Sequence, residues 1–448
     1  MNILLIFPYQ ELNNANYLAV PCVILKLKYY RSPKLANTIR YWLQDNIPRF
    51  KQSDVLSKLA DIIEVVILKQ SDNQFNIDTL RCQVLAVDDV VNAKIPLQPL
   101  TQNLSSVVYE TFERDAVKYK QYRLAIRSAL SDIVTRKSSG DINKNESFEK
   151  IVAFVLGAGR GPLVDAVYDV YFDVTSNIFP LELWAVEKNT SATQAMELRE
   201  RQRKNFHILH CDMRKLSDLL AAGEFSRPDL VVSELLGSFA DNELSPECLG
   251  SVENIFHANT ISIPQSYSSY LAPIHSTVLQ HELCRLQQST GHRELKGIGR
   301  EKNTNFLASD CLYVAFMKRV CLLAPPLKCF TFTHPGSNLS PANRHLHNTM
   351  EFRIRCKSYA VNGFAAFFHA VLYADVTLST CPGDETPDML SWAPGFFPLR
   401  TPLLINDSKI SDRIILDMFR IRDDNGVWYE WKAQRLSAQT YLVYMFIF

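Results

Sequence analysis

Short runs of consecutive apolar residues recur through the middle of the chain, each followed by polar or glycine-rich sequence. Apolar runs of this kind, bounded by turn residues, are typical of strands that are buried on both faces of a parallel sheet. Between two of them, over 191–203, the apolar residues have helical spacing. The pattern therefore predicts an α/β domain whose strands cover 151–156, 181–186, 206–209 and 230–232.

Beyond residue 262 the pattern changes to extended, aromatic-rich stretches that are separated by turn residues. This alternation is typical of antiparallel strands. The predicted strands cover 267–274, 329–334, 351–356, 363–378 and 427–432. Helical or irregular sequence interrupts them over 280–326. The C-terminal part of the chain is therefore predicted to form a β domain.

The residues before the predicted α/β domain fall into two parts. The first 95 or so have a mixed α/β pattern, and a linker with two prolines follows at 96–100. An aromatic-rich helical pattern then covers 105–134, where Asp115 can cap the start of a second helical segment. The polar stretch 137–148 predicts a flexible connector.

Composition narrows the class of protein. Of the 448 residues, 47% are apolar and 21% are charged, which is ordinary for two or three globular domains. The formal net charge of +1 gives no overall field that would favour nucleic acid or an anionic membrane. The ten cysteines include no C-x-x-C pair, which disfavours zinc and a disulfide framework and favours a reducing compartment. No apolar run approaches the length of a membrane span, and the first residues lack the charged start of a signal peptide.

Residues with chemical uses follow the ends of the predicted parallel strands, which meet at the ligand-binding edge of an open sheet. A glycine turn after the first strand lets the backbone approach a ligand, and an acid after the second is placed to accept bonds from ribose hydroxyls. A dinucleotide dehydrogenase would share these two features but gives no reason for the later ones. The residues are Gly157, Gly159, Gly161, Glu187, Asp212, Met213 and Glu234.

Two glutamates, Glu234 and Glu243, belong to the loop that follows the fourth predicted strand. Two carboxylates can hold a planar guanidinium from two sides through charge-assisted, bidentate hydrogen bonds. The same pair can bind a divalent metal, share a proton in acid–base chemistry, or form a solvated acidic loop. The spacing of the two acids leaves these alternatives open.

The amino-acid sequence of that loop resembles the double-glutamate loop of protein arginine methyltransferases. It reads Ser-Glu-Leu-Leu-Gly-Ser-Phe-Ala-Asp-Asn-Glu-Leu-Ser-Pro-Glu. It is most similar to the type II branch, which makes symmetric dimethylarginine. The run Tyr-Glu-Thr-Phe-Glu-Arg-Asp-Ala-Val-Lys-Tyr, over 109–119, resembles the helices that cover the cofactor in the same family. The resemblance covers about 96–432 strongly and the first 95 residues only in part.

The fold that the resemblance implies is α/β followed by β. It comprises a partial TIM-barrel-like region over 1–95, a linker with cofactor-covering helices over 96–146, a Rossmann-like class I methyltransferase domain over 147–263, and a β-barrel substrate domain over 264–448 with a dimerisation arm at about 280–326. The family carries a full barrel before its catalytic half, and only part of one fits here. Either the region is remodelled, or a partner covers its open sheet edges, or the sequence is a truncated form.

The resemblance also implies S-adenosyl-L-methionine as cofactor, S-adenosyl-L-homocysteine as its product, and no metal. Glu234 and Glu243 are the implied catalytic residues. The resemblance implies that residues of the helices and of the strand ends contact the cofactor's amino-acid end, its carboxylate, its ribose and its adenine. These cofactor-binding residues are Tyr109, Lys118, Tyr119, Gly157, Gly159, Arg160, Glu187, Asp212 and Met213. The implied substrate-binding residues are Leu97, Phe112, Ser391 and Trp392. Relatives that form the asymmetric product have methionine in place of Phe112, so phenylalanine predicts the symmetric product.

The partners implied by the resemblance are arginine-containing proteins, including the Gly/Arg-rich tails of histones and Sm splicing proteins, in the cytoplasm and the nucleus. A WD-repeat methylosome partner docks on the family's barrel, of which this sequence matches only part. A homo-oligomer is expected, without membrane or direct nucleic-acid binding. Two other functions compete: a catalytically inactive scaffold with a methyltransferase fold, and a small-molecule methyltransferase, which would need neither Glu243 nor a large β domain.

Overall fold

The computed structural model describes Pro96 and residues 106–139, 150–175, 178–290, 308–315, 317, 320–336, 345–354, 360–405, 413–423, 426–437 and 440–441. The chain divides into two compact units. The larger unit spans 93–275, 287–316 and 322–448 and contains every site described below. The described part of the smaller unit consists of 276–286, 317 and 320–321. The predicted barrel-like region over 1–95, Leu97 and much of the predicted dimerisation arm lie outside the described residues.

A five-stranded parallel sheet forms the centre of the methyltransferase-like half. The strands are arranged in the order β3-β2-β1-β4-β5, so the first and fourth strands lie side by side. In register, Ala153 of β1 lies between Leu183 of β2 and Leu230 of β4. All residues of β1 are buried, as expected for a central parallel strand covered on both faces. The strands are β1 (Ile151–Leu156), β2 (Leu181–Val186), β3 (Phe206–Leu209), β4 (Leu230–Ser233) and β5 (Ile261–Ile263).

Helices precede the sheet and connect its strands. The first two are separated at Asp115, which is buried and accepts a hydrogen bond from the backbone N–H of Lys118 at 3.1 Å. This side-chain bond caps the second helix, as predicted, and explains why the helical pattern is split there. The helices are α1 (Ser106–Glu113), α2 (Ala116–Ser139), α3 (Pro162–Thr175), α4 (Thr190–Gln202), α5 (Leu216–Ala221), α6 (Ser245–Val252) and α7 (Thr277–Thr290).

Antiparallel strands form the C-terminal part. One sheet contains β7-β13-β11-β6 in that order, with β9 paired to β6 and β12 paired to β11. A second sheet has the order β10-β14-β15-β16. The strands are β6 (Ser266–His275), β7 (Tyr313–Val314), β8 (Cys321–Leu322), β9 (Leu327–Thr333), β10 (His345–Arg353), β11 (Ala360–Tyr373), β12 (Val376–Ser379), β13 (Gly395–Leu404), β14 (Arg413–Arg422), β15 (Val427–Ser437) and β16 (Thr440–Tyr441). Closure of these sheets into a barrel stays a prediction.

The four predicted strands of the parallel sheet are confirmed nearly residue for residue, β5 was not predicted, and most other differences concern the β part. The stretch 363–378, predicted as one strand, is a hairpin of β11 and β12 that turns at Ala374, a residue with a φ of 51°. The strand predicted at 351–356 begins earlier, at His345. The strand β13 was missed because Pro398 and Pro402 interrupt its apolar pattern, and β14 was also missed. The helix α2 continues through 137–139, which were predicted as connector. No helix among the described residues is long and apolar enough to cross a membrane.

Candidate functional site

A cavity of about 480 Å³ opens at the carboxyl edge of the parallel sheet, within the larger unit. A volume of this size is typical of a small-molecule or cofactor site. Most of the residues predicted from the sequence as site residues line it, although they come from both halves of the chain. They are Tyr109, Phe112, Tyr119, Gly157, Gly159, Arg160, Glu187, Asp212, Met213, Glu234, Glu243, Ser391 and Trp392. Leu97 lies outside the described residues, beside Pro96, which lines the cavity.

The glycine turn after β1 adopts a backbone that disfavours other residues. Gly157 and Gly159 have φ angles of 67° and 55°, in the left-handed region. A β-carbon on Gly159 would lie 3.1 Å from the ring of Tyr109, and one on Gly157 would lie 2.9 Å from the side chain of Leu235. The glycines therefore allow both the turn itself and the close approach of neighbouring side chains to its backbone.

Glu187, at the end of β2, holds this turn in place. One carboxylate oxygen accepts a hydrogen bond from the backbone N–H of Gly159 at 2.9 Å, and the other accepts one from the N–H of Asn189 at 2.8 Å. Each oxygen keeps a further lone pair, because an ionised carboxylate has about four acceptor sites. Glu187 can therefore shape the turn and still accept hydrogen bonds from a ligand's hydroxyl groups.

The residues around Glu187 link the two helices before the sheet to the cavity. The hydroxyl of Tyr109 accepts a hydrogen bond from the amide of Asn189 at 3.3 Å. Burial, and secondly the charge of Glu187, raise the pKa of Tyr109, which keeps its hydroxyl neutral. Arg160, in the glycine turn, forms an ion pair of 2.8 Å with Glu113 of α1. The helix α1 is thus fastened over the turn from two sides.

Asp212, after β3, carries a firmly ionised carboxylate. Arg214 donates to it from Nε at 2.9 Å and from its guanidinium end at 2.6 Å. These hydrogen bonds hold the pKa of Asp212 below its usual value, against the opposing effect of burial. Asp212 also caps the short 3₁₀ turn Met213–Lys215 through the backbone N–H of Arg214. The turn places Met213 on the cavity wall beside this acid.

The structure places Lys118 against Glu234, and not on the cavity wall where a contact with a cofactor was expected. Its ammonium lies 3.2 Å from Oε2 of Glu234, and the side chain is fully buried. Three aromatic rings face the same ammonium, with centroids 4.9–5.3 Å away; they belong to Phe112, Tyr119 and Trp392. A carboxylate and three aromatic faces therefore form a cation-binding environment beside this end of the cavity, and the ammonium of Lys118 occupies it.

Glu234 and Glu243 form the acidic end of the cavity. Glu234 accepts a hydrogen bond from the backbone N–H of Leu236 at 3.1 Å, which orients its carboxylate at the end of β4. Burial, and secondly the charge of Glu234, raise the pKa of Glu243 to about 8, and Lys118 opposes this shift. Two acids that repel each other in a half-buried position bind a cationic group more favourably than a neutral one.

The turn that carries Glu243 has a strained backbone. Ala240 and Leu244, on either side of the 3₁₀ turn Asp241–Glu243, have φ angles of 61° and 67°. Such conformations cost residues other than glycine about 1–3 kcal/mol each and persist only where the surroundings hold them. The position of Glu243 therefore depends on contacts outside the turn.

The long-range role of Asp115 was not foreseen from the sequence. Besides capping α2, its second oxygen accepts hydrogen bonds from the backbone N–H groups of Leu390 and Ser391 at 2.8 and 2.7 Å. Burial alone would raise the pKa of Asp115, but the hydrogen bonds outweigh it and lower the pKa. They hold the segment of Trp392, whose indole N–H donates to the carbonyl of Leu236 at 2.7 Å. No sequence signal connects residues 275 positions apart.

Among the residues that the structure describes, no group of three or more histidine, cysteine, aspartate or glutamate side chains is arranged to hold a metal ion. Glu234 instead pairs with the ammonium of Lys118 at 3.2 Å, and the charge of the same lysine acts on Glu243.

Two family models match this chain over most of its length. The model described as PRMT5 arginine-N-methyltransferase matches residues 83–263. The model described as PRMT5 oligomerisation domain matches residues 266–443. The boundary between the two models falls at the junction between the parallel sheet and the C-terminal strands.

Curated relatives show the same similarity. The chain is 36% identical over 338 residues to protein arginine N-methyltransferase 5 of Xenopus laevis, an alignment that covers 75% of this chain and 48% of the relative. It is 35% identical over 385 residues to the protein of the same name from Caenorhabditis elegans, covering 80% of this chain and 50% of that protein. The chain thus spans about half the length of the curated relatives it matches.

The fold is also similar to solved structures of methyltransferases. The Trypanosoma brucei PRMT1 enzyme-prozyme heterotetrameric complex with AdoHcy contains a chain that superposes with a TM-score of 0.56 at 13% sequence identity. The superposition covers 76% of this chain and 96% of that chain. At this identity the likeness concerns the fold, and it agrees with the predicted Rossmann-like class I methyltransferase domain.

Proposed function

The chain belongs to the protein arginine N-methyltransferase 5 family, and from this premise we propose that it transfers methyl groups from S-adenosyl-L-methionine to arginine side chains of proteins. The products would be monomethylarginine and symmetric dimethylarginine. One observation supports the proposal most strongly. At one end the cavity has the glycine turn, which is hydrogen-bonded to Glu187, and at the other end it has Glu234 and Glu243, two glutamates suited to binding a cation.

The residues at the glycine end fit the cofactor. Gly157, Gly159 and Arg160 would hold its amino-acid end, because a side chain on either glycine would strain the turn and crowd its neighbours. Glu187 would accept from the ribose hydroxyls, and Asp212 with Met213 would contact the adenine. When bound, the cofactor supplies a sulfonium methyl group that a nucleophile can accept.

The glutamates would bind the substrate's guanidinium. Free arginine has a pKa above about 12, so the group arrives as a cation and is a poor nucleophile with delocalised lone pairs. Glu234 and Glu243 would accept hydrogen bonds from its N–H groups and draw positive charge toward the nitrogens they contact, leaving electron density on the nitrogen that faces the methyl group. As that nitrogen bonds to the methyl carbon, the carbon–sulfur bond would break with its electron pair left on sulfur, and the proton lost from the nitrogen would pass to one of the two carboxylates. The rings of Phe112 and Trp392 favour a cation at this end.

Lys118 would have two uses at this end. Its ammonium balances Glu234 and, through that glutamate, limits the repulsion that raises the pKa of Glu243. The rings and the carboxylate around it are the same groups that a guanidinium would contact. Lys118 would therefore share Glu234 with the substrate, and its predicted contact with the cofactor's carboxylate stays part of the proposal.

The rate enhancement would come mainly from alignment. Holding nitrogen, methyl carbon and sulfur in line can contribute roughly 7–11 kcal/mol. Each essential electrostatic contact from the glutamates adds about 3–4 kcal/mol, by analogy with the loss of one oxyanion donor. Fixed positions for Glu234 and Glu243 therefore matter as much as their charge.

The proposed substrates and partners rest on the family and on the acidic end of the cavity. We propose Gly/Arg-rich tails of histones and Sm proteins as substrates in the cytoplasm and nucleus, since the acidic end of the cavity favours a cationic side chain. The match to an oligomerisation domain over 266–443 supports assembly, and we propose a homo-oligomer. Binding of a WD-repeat methylosome partner is proposed for the region before residue 96.

The test is to incubate the full chain with labelled S-adenosyl-L-methionine and a Gly-Arg-rich peptide. Transfer of label, followed by mass spectrometry that identifies symmetric dimethylarginine, is the expected result. The matched control peptide has lysine in place of every arginine and should remain unlabelled. Calorimetry that detects cofactor binding without transfer to any arginine peptide would contradict the proposal and favour a scaffold.

A further inference from the structure

Arg420 is a buried cation on the β14 strand of the second antiparallel sheet, and it contacts the loop that carries Glu243. The residue is 1% exposed. Its Nε donates to Asp241 at 2.5 Å, and its two terminal nitrogens donate to Glu247 at 2.9 and 2.8 Å. The guanidinium also lies 5.4 Å from the ring centroid of Phe332. One side chain therefore binds acids on both sides of Glu243 in the sequence.

Neighbouring residues reinforce this contact. Tyr429 lies opposite Arg420 in the strand register, and its hydroxyl donates to the same oxygen of Asp241 at 2.6 Å. The ring of Phe239, just before the turn, packs against Tyr429 and Phe397, with centroids 5.5 and 5.0 Å apart. The ring of Phe239 and the carboxylate of Asp241 thus both attach the loop to the C-terminal strands.

The contact falls where the backbone is strained. Asp241 and Glu243 belong to the same 3₁₀ turn, between the two residues with positive φ, and Glu247 belongs to α6, which follows at once. Asp241 is fully buried, so burial raises its pKa while Arg420 and Tyr429 oppose the rise. If Arg420 were removed, Asp241 would keep only the Tyr429 hydroxyl of these two donors, Glu247 would lose both guanidinium bonds, and the turn would lose its charged contact with β14.

From these contacts we infer that Arg420 is a positioning residue for methyl transfer: its guanidinium fixes the turn that presents Glu243, and Tyr429 assists it. The inference rests on the proposed function, and it assigns to the C-terminal sheet a part in building the glutamate end of the cavity. Neither residue lines the cavity, so both act through Asp241 and the turn.

The test compares variants of the full chain. Arg420→Gln removes the charge. Arg420→Lys keeps the charge but cannot form the bidentate hydrogen bonds to Glu247. Tyr429→Phe keeps the ring but lacks the hydroxyl group. The matched control is Arg413→Gln, an exposed arginine of the same strand that pairs with Glu351 at 3.2 Å. Each protein is assayed for kcat with a Gly-Arg-rich peptide, cofactor Kd by calorimetry, thermal unfolding, and hydrogen exchange of the segment 236–250.

We expect Arg420→Gln to lower kcat at least tenfold and to speed exchange over 236–250, while the cofactor Kd changes less than twofold. Arg420→Lys should recover part of the loss, Tyr429→Phe should lower kcat severalfold, and the Arg413→Gln control should match wild type. A global loss of stability alone would raise exchange throughout and weaken cofactor binding as well, so it would not produce this split.

A folded Arg420→Gln protein with wild-type kcat and unchanged exchange over 236–250 would overturn the inference. If Arg420→Gln does not fold, Tyr429→Phe decides by the same two measurements. If wild type methylates no arginine peptide, the proposed function fails. Whether Arg420 fixes the turn of Glu243 is then decided by hydrogen exchange over 236–250 alone, since that measurement requires no substrate.

Discussion

The two ends of the cavity are both acidic, but the pKa of one acid at each end is shifted in opposite directions: that of Asp212 is lowered and that of Glu243 is raised. At the glycine end, Glu187 accepts two backbone N–H bonds and Asp212 is held ionised by Arg214. At the other end, burial and mutual repulsion raise the pKa of Glu243 to about 8. Glu187 and Asp212 already have their hydrogen-bond donors, whereas the raised pKa of Glu243 means that this carboxyl group ionises more readily when a cation arrives.

The two ends also differ in how they are assembled. The glycine turn, Glu187 and Asp212 follow successive strands of one sheet, so the topology of that sheet brings them together. The glutamate end takes Lys118 from a helix before the sheet and Trp392 from the C-terminal part. A site whose residues all follow the strands of one sheet can be located from the sequence, whereas a site assembled from distant segments can be located only from the tertiary structure.

The largest expected effect is at the glutamate end. Glu234→Gln and Glu243→Gln should each lower kcat by about 10²–10³, or roughly 2.7–4 kcal/mol, because each keeps its size but loses the charge that binds guanidinium. The cofactor Kd should stay nearly unchanged. Steady-state kinetics and calorimetry check this, with Glu351→Gln, an exposed glutamate on β10, as control. Either variant retaining more than about a tenth of the wild-type kcat would exclude the two-carboxylate mechanism.

At the glycine end, Glu187→Ala should weaken S-adenosyl-L-methionine binding by roughly 1.5–4 kcal/mol, the loss of one to two charge-assisted hydrogen bonds. Calorimetry measures the affinity. Since Glu187 also holds Gly159, Glu187→Gln serves as the companion variant, because it keeps acceptor and size while it removes the charge. Unchanged affinity in both would remove Glu187 from the cofactor site.

The raised pKa of Glu243 predicts a pH dependence that only the glutamate end should show. Guanidinium binds the carboxylate and not the protonated acid, so peptide affinity should rise with pH and level off near pH 8, by up to about tenfold per pH unit below it. The facing charged groups are Glu234 and Lys118. Calorimetric titration of an arginine peptide from pH 6 to 9 tests this, and Glu243→Gln should flatten the profile while cofactor affinity does not follow it.

The raised pKa of Glu243 also predicts that the free energy of unfolding falls as pH rises, whereas the peptide affinity increases. The folded state keeps the Glu243 proton up to about pH 8, whereas an unfolded glutamate loses it near 4.5, so between these values the folded state binds more protons. The contribution of Glu243 to the free energy of unfolding therefore falls as pH rises through this window. Ligand-free wild type should lose stability relative to Glu243→Gln as pH rises from 5 to 8, and parallel curves would contradict the raised pKa.

The smallest expected effect on rate concerns Phe112, which lines the cavity beside the buried Lys118 ammonium. A flat, rigid ring limits which guanidino nitrogen can turn toward the methyl group, while methionine is unbranched and adaptable. Phe112→Met should lower the free energy of unfolding by less than about 1.5 kcal/mol and change kcat less than the other variants do, yet give a mixture of asymmetric and symmetric dimethylarginine. Mass spectrometry of product peptides distinguishes the isomers. Symmetric product alone, at the wild-type rate, would mean that the ring only packs the helix.

The sequence by itself determined four of the five strands of the parallel sheet, the residues at their ends and the identity of the two glutamates. Three strands of the sheet begin and end as predicted, because consecutive buried residues between turn signals leave little freedom for the boundaries. The resemblance of the double-glutamate loop then indicated a function that composition and spacing left open.

Only the tertiary structure decided how that loop is held. The contacts of Asp115 with the Trp392 segment, of Lys118 with Glu234, and of Arg420 with Asp241 join residues that are more than 100 positions apart. Local patterns of polarity report whether a residue faces a core or solvent, but they carry no information about which distant charge will pair with it. For a buried acid, that pairing sets its position and its pKa, and the fold alone supplies it.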